Sequence, residues 1–308
     1  MRNNSLSTVL LPASHRVLYL HRVGEEQRSF YPNGISEELL EEVLLSMIKR
    51  GYRFTSLAEA LQSRTGRSVT LSSDDGFACN YHRLYPLLQK HNIPLCLFLI
   101  GKCTNNHALA WNHKLQVAKN STTPEAFESY VASLADEFSL PAASNPSSRV
   151  FQVVNHRKDE LVDLLWERFC PQSQVEYLKQ HKPFLTAEQL RELSDAGVEI
   201  ALHSHSHADF GRLSFEEMQI EIRQNREALE ALNLPVQPYF SLPYGRQCSP
   251  DKLAALAKTE GLELILGTRY SRRDNHPGSV LWQRQPLEQS PWRIKQELWL
   301  KPWLRLLR

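Results

Sequence analysis

No Cys-x-x-Cys pair occurs among the five cysteines of this chain of 308 residues. Widely spaced cysteines in a long chain argue against a disulfide scaffold and against a thiolate zinc site. No apolar run approaches the length that spans a membrane, and the run from Val9 to Pro12 is too brief for a secretory signal segment. These absences predict a cytoplasmic protein with reduced thiols.

An excess of charge of either sign is also missing, because 36 Lys and Arg residues are balanced by 34 Asp and Glu residues. A net charge of +2 offers little attraction for nucleic acid. The chain is long enough for one large α/β domain with a buried core, and 42% of its residues are hydrophobic. We expect a single domain over residues 1–308 and no nucleic-acid partner.

Short apolar strands alternate with capped helices along most of the chain. Strands are predicted over residues 16–21, 52–55, 69–75, 93–101, 198–202, 239–242 and 262–268. Between them, Ser36 begins a helix that ends before Gly51, and capping boxes open at Thr186 and Ser214. This alternation is typical of a parallel sheet or barrel.

The alternation fails between Lys102 and Pro183. Helices are predicted there over 124–138 and 158–169, and a Pro- and Ser-rich loop over 141–148. We interpret residues 102–183 as a mostly helical insertion, of the kind that shapes substrate access in α/β barrels. Trp111, Trp166 and the histidines of the insertion either contact substrate or hold the insertion together.

Polar motifs follow three of the predicted strands. They are Asp74-Asp75-Gly76, the segment from His203 to His207, and Pro243-Tyr244-Gly245. Because the carboxyl ends of parallel strands share one face, we expect the three motifs to converge. Two neutral imidazoles and a carboxylate are suitable zinc ligands. If a metal ion neutralises one of two adjacent carboxylates, the other stays free to act as a base in hydrolysis.

With these motifs the sequence resembles the polysaccharide deacetylases of the NodB-homology group, carbohydrate esterase family 4. Residues 72–76 are similar to that family's Thr-Phe-Asp-Asp-Gly motif, residues 203–207 to its His-Ser/Thr-x-x-His motif, and residues 241–245 to its Arg-x-Pro-Tyr-Gly motif. The resemblance extends from about residue 17 to residue 286. It implies a distorted (β/α)7-type barrel in which Asp75, His203 and His207 bind a divalent metal, Zn²⁺ by default, and Asp74 is the general base.

Three further residues are candidates for the chemistry or for substrate binding. The backbone N–H of Tyr244 follows Pro243, which has none, and is a candidate donor to the oxyanion of a tetrahedral intermediate. Tyr244 and Trp282 are also candidates for contact with substrate. Arg284 either replaces the family's arginine, whose place Ser241 takes, or touches substrate, or is a plain surface residue.

The general acid is where the sequence departs from the family pattern. The late Leu-x-x-His motif, whose histidine usually protonates the leaving amine, is missing, since no histidine follows His276. The aromatic residue of the first motif is also replaced, by Ser73. Some relatives with similar departures supply a histidine from the first strand, so His21 is the candidate acid, with a buried structural histidine as the alternative and His205 as second choice.

We therefore expect a metal-dependent hydrolase that removes an N-acetyl or N-formyl group from an amino sugar of a glycan, glycolipid or sugar precursor. The alternative is a catalytically inactive carbohydrate-binding relative, which the missing histidine favours. Retention of both aspartates and both spaced histidines opposes that alternative, because a binding module needs no base beside a metal.

The C-terminal tail, residues 290–308, combines Trp292, Trp299 and Trp303 with arginines and lysines. Such a composition is typical of a segment at a membrane interface, although Pro302 interrupts it. We expect either peripheral contact with the inner membrane or packing of the tail on the barrel.

Overall fold

The computed structural model describes residues 15–24, 31, 33–62, 67–140, 150–153, 155–245, 248–269, 275, 278–296 and 298. Strands in this part are β1 (Arg16–Leu20), β2 (Arg53–Phe54), β3 (Ser68–Asp75), β4 (Leu95–Leu99), β5 (Glu199–Leu202), β6 (Val236–Ser241), β7 (Leu264–Gly267) and β8 (Leu281–Pro286). Strand β1 pairs with both β8 and β3, which closes seven of these strands into a barrel. All the pairings are parallel, and β2 adds to the first residues of β3. The predicted (β/α)7-type barrel is confirmed.

Apolar side chains at alternate strand positions fill the barrel. Val17, Phe98, Leu264 and Trp282 belong to one buried cluster that draws on strands around the whole barrel. Leu18, the neighbour of Val17, belongs instead to the cluster between the strands and the surrounding helices. Because successive side chains of a strand point to opposite faces, a strand buried on both faces reads as a continuous apolar run.

The helices lie between the strands. They are α1 (Glu37–Lys49), α2 (Leu57–Gln62), α3 (Tyr85–Lys90), α4 (Trp111–Asn120), α5 (Pro124–Ser133), α6 (Asn155–Phe169), α7 (Gln174–His181), α8 (Ala187–Asp195), α9 (Phe215–Glu230), α10 (Pro250–Glu260) and α11 (Pro291–Lys295). The side chain of Ser36 caps α1, and the predicted capping boxes at Thr186 and Ser214 open α8 and α9.

Helices α4 to α7 occupy the region between β4 and β5 that the sequence marks as an insertion. Part of the insertion has its own apolar cluster, which includes Phe127, Val131, Leu161 and Leu165. The helix predicted over 124–138 ends earlier, at Ser133, and α4 was not predicted. The loop predicted over 141–148 lies outside the described residues.

The first part of the C-terminal tail packs on the barrel. Ile294 and Leu298 are only 1% and 2% exposed and belong to the main core cluster, whereas Trp292 is 65% exposed. Trp299 and Trp303 lie outside the described residues. Within the part of the chain that the structure describes, no helix combines the length and the apolar character needed to cross a membrane.

Candidate active site and metal centre

The predicted polar motifs lie at the carboxyl end of the barrel. Asp74 and Asp75 are the last residues of β3, His203 directly follows β5, and Tyr244 lies in a short 3₁₀ turn after β6. The parallel order of the strands brings all three motifs to one face.

Asp75, His203 and His207 come close enough together to hold one metal ion. One ligand atom from each lies within 4.8 Å of the others, and all three side chains are buried. The Oδ1 atom of Asp75 is 3.3 Å from Nε2 of His203 and 3.5 Å from Nε2 of His207. The three predicted ligands therefore form one compact group.

The chemistry of this group fits a divalent metal ion. Within the described residues, neither carboxylate oxygen of Asp75 nor Nε2 of His203 has a hydrogen-bond partner, although all three atoms are buried. Buried polar atoms without partners are costly, and a bound cation would satisfy these together. Two imidazoles and one carboxylate form a donor set typical of zinc hydrolases, with coordination positions left for ligands from outside the protein.

Hydrogen bonds from the other ring nitrogens orient both imidazoles. Nδ1 of His203 donates to the carbonyl oxygen of Ser241 at 2.9 Å, so its Nε2 carries a lone pair. Nδ1 of His207 lies 2.8 Å from the hydroxyl group of Tyr244. Metal-ligating histidines commonly have such a second partner, which sets the ring orientation and the tautomer.

The protonation states of Asp75 and His207 also suit cation binding. Burial lowers the pKa of His207 well below its usual value, although Asp75 opposes this effect. Burial raises the pKa of Asp75, but the nearby imidazoles of His207, His113 and His203 together hold it well below its usual value. A neutral imidazole and an ionised carboxylate are the forms that bind a metal ion.

Four non-glycine residues of this face have left-handed backbone conformations. They are Asp75 (φ 68°), Ser204 (φ 62°), His207 (φ 61°) and Tyr244 (φ 57°). Such strain costs roughly 1–3 kcal/mol a residue and persists where surrounding contacts impose it. At His207 one such contact is visible, since Nε1 of Trp111 donates to its carbonyl oxygen at 3.1 Å.

Arg284 binds the other aspartate. Its guanidinium group donates to Oδ1 and Oδ2 of Asp74 at 2.7 and 2.8 Å, and the hydroxyl group of Ser241 donates to Oδ2 at 3.1 Å. Burial raises the pKa of Asp74, but Arg284, together with His203 and His21, outweighs burial, and the pKa lies below its usual value. Asp74 is thus an ionised carboxylate in a fixed orientation beside the metal-ligand group.

His21 pairs with a carboxylate that sequence reasoning missed, Glu288. Nδ1 of His21 lies 2.6 Å from Oε2 of Glu288, whose Oε1 accepts the backbone N–H groups of His21 and Arg22 at 2.9 and 2.8 Å. Burial lowers the pKa of His21, but Glu288, together with Asp75 and Asp74, outweighs burial and raises the pKa to about 9. A raised pKa favours the protonated form of His21 at neutral pH.

A cavity of about 180 Å³ opens onto these groups. Its lining includes Asp74, Asp75, His21, His203, His207, Tyr244 and Arg284, with Tyr19, Tyr31 and Asn112 among the others. This volume is well below that of a typical drug-sized pocket, so the cavity itself accommodates a small chemical group.

Three sequence-based interpretations need correction. Trp282 is fully buried among the apolar side chains inside the barrel and does not line the cavity, so it is not a substrate contact. The surface interpretation of Arg284 is wrong, because this side chain is only 1% exposed. His205 does not line the cavity either; its ring lies beside Gly101 and Asn225, which leaves His21 as the candidate acid.

Three consecutive insertion residues, all at the start of α4, border the site. Trp111 contacts the backbone of His207, Asn112 lines the cavity, and His113 lies 3.6 Å from Oδ2 of Asp75. Trp166, in contrast, is buried in the insertion and donates to the carbonyl oxygen of Gln172. No motif marked Asn112, whereas His113 is one of the insertion histidines that the sequence offered as candidates for substrate contact.

The sequence model of the family described as "Polysaccharide deacetylase" matches residues 62–265, more than half of the chain. No curated protein sequence matches significantly.

Among solved structures, a Streptococcus pyogenes deacetylase, PplD, in complex with acetate has a TM-score of 0.57 and 16% identity, and the match covers 92% of this chain and 98% of that one. IcaB from Ammonifex degensii has a TM-score of 0.56 and 18% identity, and the match covers 91% of this chain and 94% of that one. A de-N-acetylase from Aggregatibacter actinomycetemcomitans has a TM-score of 0.54 and 17% identity, and the match covers 92% of this chain and 98% of that one. These structures support the fold, and the match to the family model shows that the chain belongs to the polysaccharide deacetylase family.

Proposed function

We propose that this protein is a metal-dependent hydrolase that removes an N-acetyl or N-formyl group from an amino sugar of a glycan, glycolipid or sugar precursor. Its family supports carbohydrate deacetylation. The observation that carries the metal dependence is the buried group of Asp75, His203 and His207, in which the carboxylate oxygens of Asp75 and Nε2 of His203 lack hydrogen-bond partners within the described residues. Zn²⁺ is the proposed ion, because imidazole and carboxylate ligands suit it.

Asp74 is the proposed general base. Asp75, His203 and His207 would hold a divalent metal ion, which would supply Lewis acidity toward the amide carbonyl and water. The bidentate contact with Arg284 keeps Asp74 ionised and oriented, so that it can accept the proton of the attacking water. The backbone N–H of Tyr244, in the lining of the same cavity, is the proposed donor to the oxyanion.

His21 is the proposed general acid. An amine leaves a tetrahedral intermediate readily only after its nitrogen has been protonated, and a protonated imidazole in the cavity lining can supply that proton. Glu288 stabilises the imidazolium form. The pair thus supplies the acid that the missing late histidine provides in the family pattern.

Metal content tests the proposed centre directly. We expect about one equivalent of divalent metal in gently purified protein, and loss of this metal in both His203→Ala and His207→Ala, because each change removes one of three ligands. Elemental analysis measures it. His205→Ala is the matched control, since this histidine lies in the same loop but outside the cavity lining, and its metal content should be unchanged.

Wild-type protein that holds no metal, even after reconstitution, would contradict the proposal and favour the inactive carbohydrate-binding alternative. If metal is present, release of acetate or formate from a panel of acylated amino sugars identifies the sugar and the acyl group. Binding of these sugars without release would also favour the inactive relative.

We also propose that the protein acts in the cytoplasm and contacts the inner membrane through its C-terminal tail. Trp292 is exposed next to the exposed Arg293, a pair that suits an anionic lipid surface. Trp292→Ser is expected to reduce co-sedimentation with anionic vesicles. Val175→Ser, which alters another exposed apolar residue, should leave co-sedimentation unchanged; equal sedimentation of all three proteins would rule out a contribution of Trp292.

A further inference from the structure

The two carboxylate oxygens of Asp75 face different partners. Oδ1 lies toward Nε2 of His203 and Nε2 of His207, at 3.3 and 3.5 Å. Oδ2 lies toward Nε2 of His113, at 3.6 Å. His113 is not part of the compact ligand group, and it comes from the insertion rather than from the end of a barrel strand.

The surroundings of His113 hold its ring in place. Its side chain is completely buried, with ring centroids 5.5 Å from Phe77, 5.3 Å from Phe184 and 6.3 Å from His207. Contacts of this kind restrict rotation of the imidazole, so the approach of Nε2 to Asp75 is built into the fold.

Asp75 has a strained backbone, and its side chain needs a fixed orientation to keep Oδ1 toward the two histidines. Asp75 adopts a left-handed conformation with φ 68°, next to Gly76 at φ 77°. Free rotation of the side chain would turn Oδ1 away from His203 and His207. A donor on Oδ2 restricts this rotation, just as second partners restrict the imidazoles of the metal ligands.

We propose that His113 is a positioning residue that donates from Nε2 to Oδ2 of Asp75 and thereby presents Oδ1 to the metal ion. This inference rests on the proposed metal centre. It makes the insertion part of that centre, since helix α4 orients a ligand that β3 supplies. His113 acts through Asp75 and is not itself a ligand.

Titration of metal-free protein with Co²⁺ tests this role without measuring activity. Removal of a second partner of a metal ligand typically weakens metal binding about ten- to a hundredfold. We expect a loss of this size in His113→Leu, whose side chain fills a similar volume but has no N–H. In His113→Gln the amide nitrogen lies about as far from Cα as Nε2, so affinity and the Co²⁺ absorption spectrum should be close to those of wild type.

His107→Leu is the matched control, because His107 belongs to the same insertion but is exposed. Its Co²⁺ affinity should equal that of wild type. If His113→Leu does not fold, as judged by the thermal unfolding of the metal-free protein, His113→Asn replaces it. The shorter amide of asparagine does not reach Asp75, so its Co²⁺ binding should be as weak as that expected for leucine.

Unchanged Co²⁺ affinity in His113→Leu or His113→Asn would overturn the inference and leave His113 a packing residue. Equal losses in His113→Gln and His113→Leu would also overturn it, because a donor role predicts rescue by glutamine. Neither of these outcomes would contradict the proposed metal centre of Asp75, His203 and His207. Absence of Co²⁺ binding in wild type, by contrast, would overturn the proposed centre together with this inference.

Discussion

Replacement of Asp74 with asparagine is expected to lower kcat by about two to four orders of magnitude, the usual contribution of a general base. The amide has nearly the same shape as the carboxylate but cannot accept a proton at neutral pH. Metal content should not change, since Asp75, His203 and His207 are intact. Acetate or formate release, measured beside elemental analysis, separates these two effects.

The same change leaves Arg284 without its counter-charge. Removal of one partner of a buried ion pair typically costs about 3–5 kcal/mol, so thermal unfolding must be followed and assays run well below the midpoint. Asp159→Asn is a matched control: it removes a carboxylate paired with Lys102 and Lys114, outside the cavity lining, and should leave kcat unchanged. Turnover at the wild-type rate in Asp74→Asn would rule out Asp74 as the general base. Loss of metal in this variant would indicate that Asp74 is a metal ligand instead.

Replacement of His21 with alanine is expected to reduce kcat on an acylated amino sugar by about two to four orders of magnitude, because the leaving amine then lacks its acid. Metal content should again equal that of wild type. An aryl acetate provides the sharpest control, since a phenolate leaves without being protonated. We therefore expect ester turnover to survive in His21→Ala while amide turnover does not; equal losses on both substrates, or retained amide turnover, would contradict the assignment.

The pH profile tests whether Glu288 supports this acid. His21 faces Glu288, Asp74 and Asp75, and burial opposes its charge, with the pKa raised overall to about 9. The active form of the acid is the protonated one, so wild-type activity should fall as the pH rises through this pKa. Glu288→Gln removes the strongest raising influence, so the alkaline limb of kcat/KM should move to lower pH. An alkaline limb at an unchanged pH would exclude the His21–Glu288 pair as its origin.

Local sequence pattern located the proposed metal ligands because each lies at or shortly after the end of a strand that its apolar neighbours predict. The apolar run before Asp74 and Asp75 and the run before His203 both predict buried strands, and parallel strands place their carboxyl ends on one face. The same logic placed Tyr244 after β6 and His21 after β1. For these residues, short-range periodicity and the rule of parallel topology predicted the location, and the resemblance to the family supplied the expected roles.

The partners of those residues required the tertiary structure. Arg284 lies 210 positions from Asp74 along the chain, and Glu288 lies 267 positions from His21. Strand β8 was not predicted, because its sequence Leu-Trp-Gln-Arg-Gln-Pro lacks an apolar run. Its polar side chains become buried only when β8 pairs with β7 and β1 to close the barrel.

The sequence by itself thus determined the fold class and the candidate residues for metal binding and proton transfer, since these depend on residue type, local spacing and the motifs of the family. Only the tertiary structure decided which groups lie against them: Arg284 on Asp74, Glu288 on His21 and, at 3.6 Å, His113 beside Asp75. The physical reason is that these contacts depend on which distant segments become neighbours when the barrel closes and the insertion folds against it. Local periodicity records whether a segment is buried, but not what it is buried against.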